Sequence, residues 1–171
     1  YSISMTTRSP RPGEQDGINY FFSDNAHFEE LLAQDAFLEH AKVYDHYYGT
    51  PKDYVFRMLN EGKHVMLEID IQGAMQVKQK YPQGVFIYIV PPSMDVLARR
   101  LRDRKTDTEE VIAGRLSKAS DELQWIEQYD YLIVNDDLAS SIGEAAAILT
   151  AEEMNIRWKE MNKSPILPSL Y

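Results

Sequence analysis

A short stretch near the start of the sequence combines two arginines with a backbone that cannot form a helix interior. Arg8 and Arg11 lie three residues apart, and Pro10, Pro12 and Gly13 exclude a regular helix there. Each guanidinium group presents a planar fork of N–H donors that matches phosphate oxygens. A polar surface loop is the alternative interpretation. Four hydroxyl groups nearby favour an anion site instead: Ser4, Thr6, Thr7 and Tyr20.

A second basic cluster holds five positive residues within seven positions: Arg99, Arg100, Arg102, Arg104 and Lys105. Arg100 and Arg104 are four residues apart and share one face of a helix. The sequence from Thr106 to Glu109 has the pattern of a capping box, which begins a new helix that carries Arg115. The break near Lys105 predicts helix, turn, helix. Such an arm suits a lid over phosphates, and a solvated charged face is the alternative.

One carboxylate lies within an apolar strand pattern. In the sequence Phe37–Val43, alternation puts Glu39 on the same face as the apolar side chains. A carboxylate on such a face is costly unless a donor meets it, which makes Glu39 a candidate ligand group. An edge position open to water is the alternative.

Polar side chains follow two other apolar runs that we interpret as buried strands. His64–Asp70 ends in Glu68 and Asp70, and Tyr131–Val134 is followed by Asn135. In open α/β sheets, ligands bind outside the carboxyl ends of the strands. An acidic residue there is a natural Mg²⁺ position, directly or through water. A helix N-cap is the alternative role of Asp70, and the two roles do not exclude each other.

The remaining pattern predicts an α/β protein with one core. A helix begins at Asp24 or Asn25, a second runs from about Lys52 to Asn60, and a third covers Gly73–Lys80. A strand at 85–90 would form a parallel unit with the run at 64–70. The last helix is expected from Ile142 to Met161, with Trp158 beyond the side chains that cover the sheet.

Composition limits the classes of function. A formal net charge of −9 disfavours nonspecific binding to nucleic acid, so any anion must be held by a local basic cluster. The sequence contains no cysteine, which excludes disulfides and zinc sites of the cysteine type. No apolar run approaches the roughly 18 residues of a membrane span. We therefore expect no membrane partner and, by default, a cytoplasmic location.

Seven motifs, in this order, closely resemble the bacterial guanylate kinase family, from Tyr1 to about Glu153. They are Ser-x-Ser-x-Thr-Thr-Arg-x-x-Arg-x-Gly-Glu-x-x-Gly-x-x-Tyr, Phe-Leu-Glu, Tyr-Tyr-Gly-Thr, Glu-Ile-Asp-x-Gln-Gly, Pro-Pro-Ser, Arg-Arg-Leu-x-x-Arg and Ile-Val-Asn-Asp-Asp. The resemblance implies a three-layer fold of the P-loop NTPase type, with a mostly parallel sheet. It implies a single domain over 1–171, with a GMP-binding arm at about 4–62 and a lid at about 94–118. The two arms are expected to face one cleft.

The resemblance also implies an activity and its residues. The reaction would be transfer of the ATP γ-phosphate to GMP, giving ADP and GDP, with Mg²⁺ as cofactor. A homodimer is left open. The implied contacts to the GMP phosphate are Arg8, Arg11, Tyr20 and Tyr48, and those to guanine are Ser4, Glu39, Thr50 and Asp70. Arg100, Arg104 and Arg115 would be the catalytic and ATP-binding cations, Asn135 would lie near adenine, and Glu68 would hold the metal through water.

The sequence departs from the family pattern in three respects. Glu68 stands where aspartate is frequent, and Asp103 and Lys105 stand where the lid often has glycine, which predicts a stiffer hinge. No GxxxxGK[ST] occurs in the 171 residues. We therefore expect the protein to begin one strand–loop–helix unit earlier, on the order of 30 residues, and these residues alone to be inactive.

Two other functions remain as alternatives. A non-catalytic guanylate-kinase-like module would bind partner peptides in the former GMP site, although retention of Glu39, Asp70 and the lid arginines speaks against it. A kinase for another nucleoside monophosphate would share the layout. The pairing of Glu39 with Thr50 is what favours guanine.

Overall fold

The computed structural model describes residues 1–43, 45–105 and 107–155. The chain divides into two compact units, Tyr1–Gly84 and Val85–Tyr171. The elements of the first unit are β1 (Met5–Thr6), β2 (Phe21–Phe22), α1 (Asn25–Ala33), β3 (Phe37–Val43), β4 (His46–Pro51), α2 (Lys52–Asn60) and α3 (Ile71–Lys80). Those of the second are β5 (Ile87–Val90), α4 (Met94–Asp103), α5 (Glu109–Glu122), a 3₁₀ helix (Leu123–Gln128), β6 (Tyr131–Val134) and α6 (Leu138–Met154).

The first unit contains a four-stranded mixed sheet in the order β2-β1-β4-β3. β1 and β2 are parallel, whereas β4 is antiparallel to both β1 and β3. Residues 44–45 alone separate β3 from β4, and so short a connection requires antiparallel strands. The expectation of a mostly parallel sheet is therefore wrong for this sheet. The antiparallel register places Glu39 opposite Thr50 and Ala41 opposite Tyr48.

The second unit contains a parallel pair. Ile87 pairs with Tyr131 at one end of the β5–β6 ladder, and Val90 pairs with Val134 at the other. The helices α4 and α5 and the 3₁₀ helix lie between the two strands in sequence. This crossover through helices is the connection that parallel strands require. The expected strands at these two apolar runs are confirmed.

The segment His64–Asp70 is not a strand, which corrects the sequence-based prediction. Ser2 N donates a hydrogen bond to Met66 O in this segment at 2.9 Å. Met66 is 57% exposed. A strand needs a hydrogen-bonded neighbour along its length as well as an apolar sequence, and one such bond does not make a ladder.

Aromatic stacking organises the core of the first unit. The Phe28 ring lies 4.4 Å from that of Phe37 and 5.2 Å from that of Tyr47, both nearly parallel to it. A Cβ atom at Gly49 would lie 2.8 Å from Phe37 Cδ1 and 3.1 Å from Phe28 Cζ. The glycine is therefore required for β4 to cross these rings. Truncation of the fully buried Phe28 to alanine should cost about 3–5 kcal/mol.

Local signals set the helix starts, although the last of the three starts differs from the capping box predicted from Thr106 to Glu109, because Thr108 is the N-cap and Glu109 the first helical residue. Asp24, Asp70 and Thr108 are N-caps, each accepting from a backbone N–H in the first turn of its helix. The predicted bounds of α2 agree with the structure. Thr106 and residues 156–171, including Trp158, lie outside the described residues. Among the helices of the described ranges, none has the length and apolar character of a membrane span.

Candidate functional site

Glu39 and Thr50 form a buried polar pair on neighbouring strands. Glu39 is 3% exposed and Thr50 is fully buried. The Thr50 hydroxyl donates to Glu39 Oε1 at 2.6 Å. Burial raises the pKa of Glu39, and the negative charge of Asp70 adds to this effect, whereas the Thr50 hydrogen bond opposes it. The pair thus places a desolvated carboxylate where a ligand with two adjacent donors would satisfy it.

Asp70 connects this pair to the start of α3. Its Oδ1 accepts from Gly73 N at 2.9 Å, which is the capping role considered from the sequence. Its Oδ2 is buried and has no hydrogen-bond partner among the described residues. A buried carboxylate oxygen without a donor is costly, so Asp70 offers a further acceptor beside Glu39.

A carboxylate holds Arg8 in the phosphate cluster. Arg8 Nη1 and Nη2 donate to the two oxygens of Glu14 at 3.0 and 2.9 Å, and Arg11 N donates to Glu14 Oε2 at 2.6 Å. The Glu14 hydrogen bond raises the pKa of Arg8, and the same contact lowers the pKa of Glu14. The Arg8 guanidinium also lies 5.4 Å from the centre of the Tyr20 ring.

Tyr48 links the phosphate cluster to the buried pair. Its ring lies 6.2 Å from that of Tyr20, edge to face. Tyr48 and Thr50 are two residues apart on β4, so both point to one face of the sheet, about 7 Å apart along the strand. The two remaining candidates flank this cluster: Ser4 is half-buried just before β1, and Arg11 is exposed. The fold therefore brings Arg8, Tyr20 and Tyr48 together and joins them through β4 to Glu39 and Thr50.

In the second unit, three of the four candidate residues line one hollow of about 430 Å³. Its walls include Arg100, Arg104 and Asn135 beside apolar side chains from β5 and α4. Arg100 Nη1 donates to Asn135 O at 2.7 Å, and Nη2 donates to Asp136 O at 3.1 Å. These bonds fix the Arg100 guanidinium at the end of β6.

Arg115 lies in α5, and the turn before that helix supplies its partner. Arg115 Nε lies 3.3 Å from Asp107 Oδ2. The turn begins at Lys105, whose φ of 53° is in the left-handed region. The expected helix, turn, helix is therefore confirmed, with a non-glycine residue in a conformation that favours glycine.

A metal site built by the protein alone is absent from the described residues, where no group of three or more His, Cys, Asp or Glu side chains converges. Glu68, the predicted metal carboxylate, is exposed and accepts from the Tyr1 hydroxyl at 2.7 Å. Burial and the Glu68 hydrogen bond raise the pKa of Tyr1 to about 12. One carboxylate of this kind fits an ion held mainly by nucleotide phosphates and water.

Sequence reasoning assigned no role to two residues of the site. Glu14 was part of the resembling motif, but its bidentate contact with Arg8 depends on how the proline-containing loop folds back. Gly73 lies inside α3, directly against Glu39. A glycine within a helical pattern was a usable signal, because it usually has a packing or functional reason.

Comparison with known proteins identifies the family. The guanylate kinase family model matches residues 1–152. The chain is 52% identical over 155 residues to a guanylate kinase of Caldanaerobacter subterraneus subsp. tengcongensis, covering 91% of this chain and 75% of that one. It is 53% identical over 154 residues to a guanylate kinase of Carboxydothermus hydrogenoformans, covering 90% and 76%.

A solved structure agrees with these relatives. The crystal structure of guanylate kinase from Anaplasma phagocytophilum matches with a TM-score of 0.78 and 35% identity, over 90% of this chain and 76% of that chain. The mixed α/β fold described above is therefore similar to that of a guanylate kinase. On the family model, the relatives and the fold together, the chain belongs to the guanylate kinase family.

Proposed function

We propose that the protein transfers the γ-phosphoryl group of ATP to GMP, giving ADP and GDP. The observation that carries the proposal is the buried Glu39–Thr50 pair, which shares one sheet face with the Arg8 cluster. Family membership supports the same reaction, since the relatives at about 50% identity bear the name guanylate kinase. The alternative of a peptide-binding module is not favoured.

The chemistry of guanine matches the buried acceptors. Guanine presents its N1 hydrogen and its 2-amino group side by side, and one carboxylate can accept both. We assign this role to Glu39. The Thr50 hydroxyl has one hydrogen, which it donates to Glu39 Oε1, and this hydrogen would turn to guanine O6 once the guanine donors reach Glu39. The unpartnered Oδ2 of Asp70 is a further acceptor for the base edge, and Ser4 completes the set. Adenine has no N1 donor, so the same residues would leave Glu39 unsatisfied.

The GMP phosphate would lie at the basic end of the same sheet face. Arg8 is held by Glu14 and by the aromatic rings, so part of its fork is already oriented. Arg11, Tyr20 and Tyr48 add a second cation and two phenol hydroxyls. Charge-assisted and neutral donors together suit a phosphate monoester.

Arg100, Arg104 and Arg115 would contact the ATP phosphates, and Asn135 would lie near adenine. In the reaction, an oxygen of the GMP phosphate attacks the γ-phosphorus of ATP, the bond to the β–γ bridging oxygen breaks, and ADP leaves with that electron pair. The arginines stabilise the charge of the transferring group. A Mg²⁺ ion, held by Glu68 through water, would neutralise charge on the nucleotide phosphates.

Three finer features stay proposals. They are the three-layer arrangement of the P-loop NTPase type, a cytoplasmic location and a homodimer. The finding that supports the first of them is the similarity to a solved guanylate kinase.

A single substitution tests the assignment of the base site. Glu39→Gln replaces one acceptor oxygen by an NH₂ group, so that donor groups of the protein and of guanine face each other without an acceptor between them. GMP binding should weaken by about 2–4 kcal/mol, while AMP binding should change little. Calorimetric titration of the full chain with each nucleotide measures both.

Glu30→Gln is the matched control, because Glu30 is exposed on α1 and belongs to neither cluster. It should leave both titrations unchanged. Unaltered GMP binding in the Glu39→Gln variant would show that Glu39 does not recognise guanine, and equal affinity of the unmodified chain for GMP and AMP would contradict the proposed function itself.

A further inference from the structure

Gly73 occupies a helical position that disfavours glycine. It is the third residue of α3, and its N–H is bound by the capping carboxylate of Asp70. Glycine inside a helix is less favourable than alanine, because it loses more backbone freedom on folding. Its φ is not positive, so the backbone conformation does not require glycine. The reason for a glycine at position 73 must therefore be the side chain that packs against it.

The neighbour of Gly73 is the carboxylate of Glu39. A Cβ atom built at position 73 would lie closer than 3.0 Å to Glu39 Oε2, a separation that real Cβ atoms essentially never show. The same Cβ would lie 3.0 Å from Cδ and 3.4 Å from Cγ of Glu39. A side chain at this position therefore requires the Glu39 carboxylate to move.

Glu39 has little freedom to move away. Its side chain is 3% exposed, and its Oε1 accepts from the Thr50 hydroxyl at 2.6 Å. Thr50 itself is fully buried on the paired strand β4. Displacement of the carboxylate would break this hydrogen bond and leave buried polar atoms without partners.

We propose that Gly73 is a positioning residue for base recognition: the missing side chain lets the Glu39 carboxylate lie against the first turn of α3. This inference rests on the proposed function, in which Glu39 accepts the two guanine donors. A displaced carboxylate cannot meet both donors at once. The residue at position 73 thus sets the discrimination between guanine and adenine without touching the nucleotide.

Gly73→Ala tests this role through the choice of base. The dissociation constant for GMP should rise about tenfold or more, and that for AMP should stay within about twofold. Gly143→Ala is the matched control, since Gly143 lies in α6 with open space where its Cβ would be. It should leave both constants unchanged. Equal weakening of GMP and AMP by Gly73→Ala would overturn the proposal.

A thermal-unfolding cycle tests the contact without any nucleotide. Gly73→Ala should lower Tm in the unmodified chain. In a Glu39→Ala background the colliding atoms are gone, so the same substitution should leave Tm unchanged or raise it. Equal losses of Tm in both backgrounds would overturn the proposal. If Gly73→Ala alone fails to fold, folding of the double variant supports the proposal, and failure of both contradicts it.

The two measurements separate this inference from the proposed function. Equal affinity of the chain for GMP and AMP would contradict the proposed function. The thermal-unfolding cycle would still decide whether the missing side chain at Gly73 accommodates the Glu39 carboxylate. Preference for GMP that survives Gly73→Ala contradicts the inference alone.

Discussion

Arg8 combines two partners of opposite character in one small cluster. Its fork meets both oxygens of Glu14, and its flat face lies near the Tyr20 and Phe22 rings, 5.4 and 5.9 Å from their centres. Lysine would keep the charge but not the planar fork or the stacking. The planar guanidinium therefore makes contacts that a lysine ammonium would not reproduce.

Arg8→Lys should weaken GMP binding about tenfold, because the lysine ammonium is neither held by Glu14 in two places nor shaped for a bidentate phosphate contact. Calorimetric titration with GMP measures the change. Arg57→Lys is the control: Arg57 lies on α2, beside Tyr54 and outside both clusters. If the two lysine variants bind GMP equally well, the fork of Arg8 has no role in phosphate binding.

The pKa of Glu39 gives a prediction in which stability and binding change in opposite directions with pH. Burial raises this pKa, the charge of Asp70 adds to the rise, and Lys80 opposes it. Between the ordinary carboxyl pKa and the raised value, the folded chain binds more protons than the unfolded chain. Protonated Glu39 therefore contributes to the free energy of unfolding in full at pH values below the unfolded pKa. This contribution is lost as pH rises through the folded pKa.

Guanine recognition requires the ionised carboxylate, so GMP binding should strengthen over the same interval. Thermal unfolding and GMP titration between about pH 4 and pH 8 measure the two trends. Glu39→Gln is the reference, because the GMP phosphate and all other groups titrate in both proteins. Identical pH profiles of the two proteins would mean that Glu39 does not titrate in this range.

At the scale of elements, β4 is the strand that assembles the candidate GMP site. It pairs with β1 on one side and β3 on the other, and it carries Tyr48 and Thr50 on one face. The aromatic stack beneath Gly49 fixes where this strand lies. A change in its register by one residue would turn both side chains away from the cluster.

The turn between α4 and α5 holds a strained residue. Lys105 has a φ of 53°, which costs a non-glycine residue about 1–2 kcal/mol. Lys105→Gly should therefore raise the free energy of unfolding by up to about 1 kcal/mol, after the greater freedom of the unfolded glycine is counted. Urea unfolding measures the change.

Lys118→Gly serves as the comparison, because Lys118 lies inside α5 in ordinary helical backbone. The same exchange there should lower the free energy of unfolding by about 1 kcal/mol. Destabilisation of equal size at both positions would show that the turn at Lys105 carries no strain.

Elements whose signals are local were predictable from the sequence. The strand predicted at Phe37–Val43 and the cap considered at Asp70 are confirmed, although a register shift between Phe37 and Glu39 interrupts the predicted alternation and puts their side chains on opposite faces. The segment His64–Asp70 was not predictable in this way, since its apolar residues do not specify a strand partner. The contact between Gly73 and Glu39 joins residues 34 positions apart, so it required the packing of α3 on β3.

At the scale of the whole molecule, each unit holds the residues assigned to one nucleotide. Those assigned to GMP lie in the first unit, and those assigned to ATP lie in the second. The expectation that Arg11 and Arg104 face one cleft stays a prediction. The resemblance found in the sequence already implied the family, which the comparisons confirm.

The two half-sites differ in what the sequence provides. The sequence has no GxxxxGK[ST] loop, and arginines supply charge without the convergent backbone donors that fix the β- and γ-phosphates. A polypeptide of these 171 residues should therefore bind GMP and phosphorylate it at a negligible rate. A coupled assay of ADP release, after the mass of the polypeptide is verified, measures the rate.

Fusion of a strand–loop–helix segment that contains GxxxxGK[ST] should raise turnover. A version of that segment with the lysine replaced by alanine is the control for a purely structural effect. Comparable turnover from the 171 residues alone would contradict the need for a phosphate-binding loop.

The buried carboxylate of Glu39 also has a consequence for the lifetime of the protein in a cell. Above the raised pKa of Glu39, its ionised form weakens the protein without nucleotide, and a ligand that donates hydrogen bonds to it stabilises the folded state. Proteases attack the transiently opened chain in proportion to its population. Protein without bound guanine nucleotide should therefore be degraded faster, and the amount of protein should follow the supply of the nucleotide.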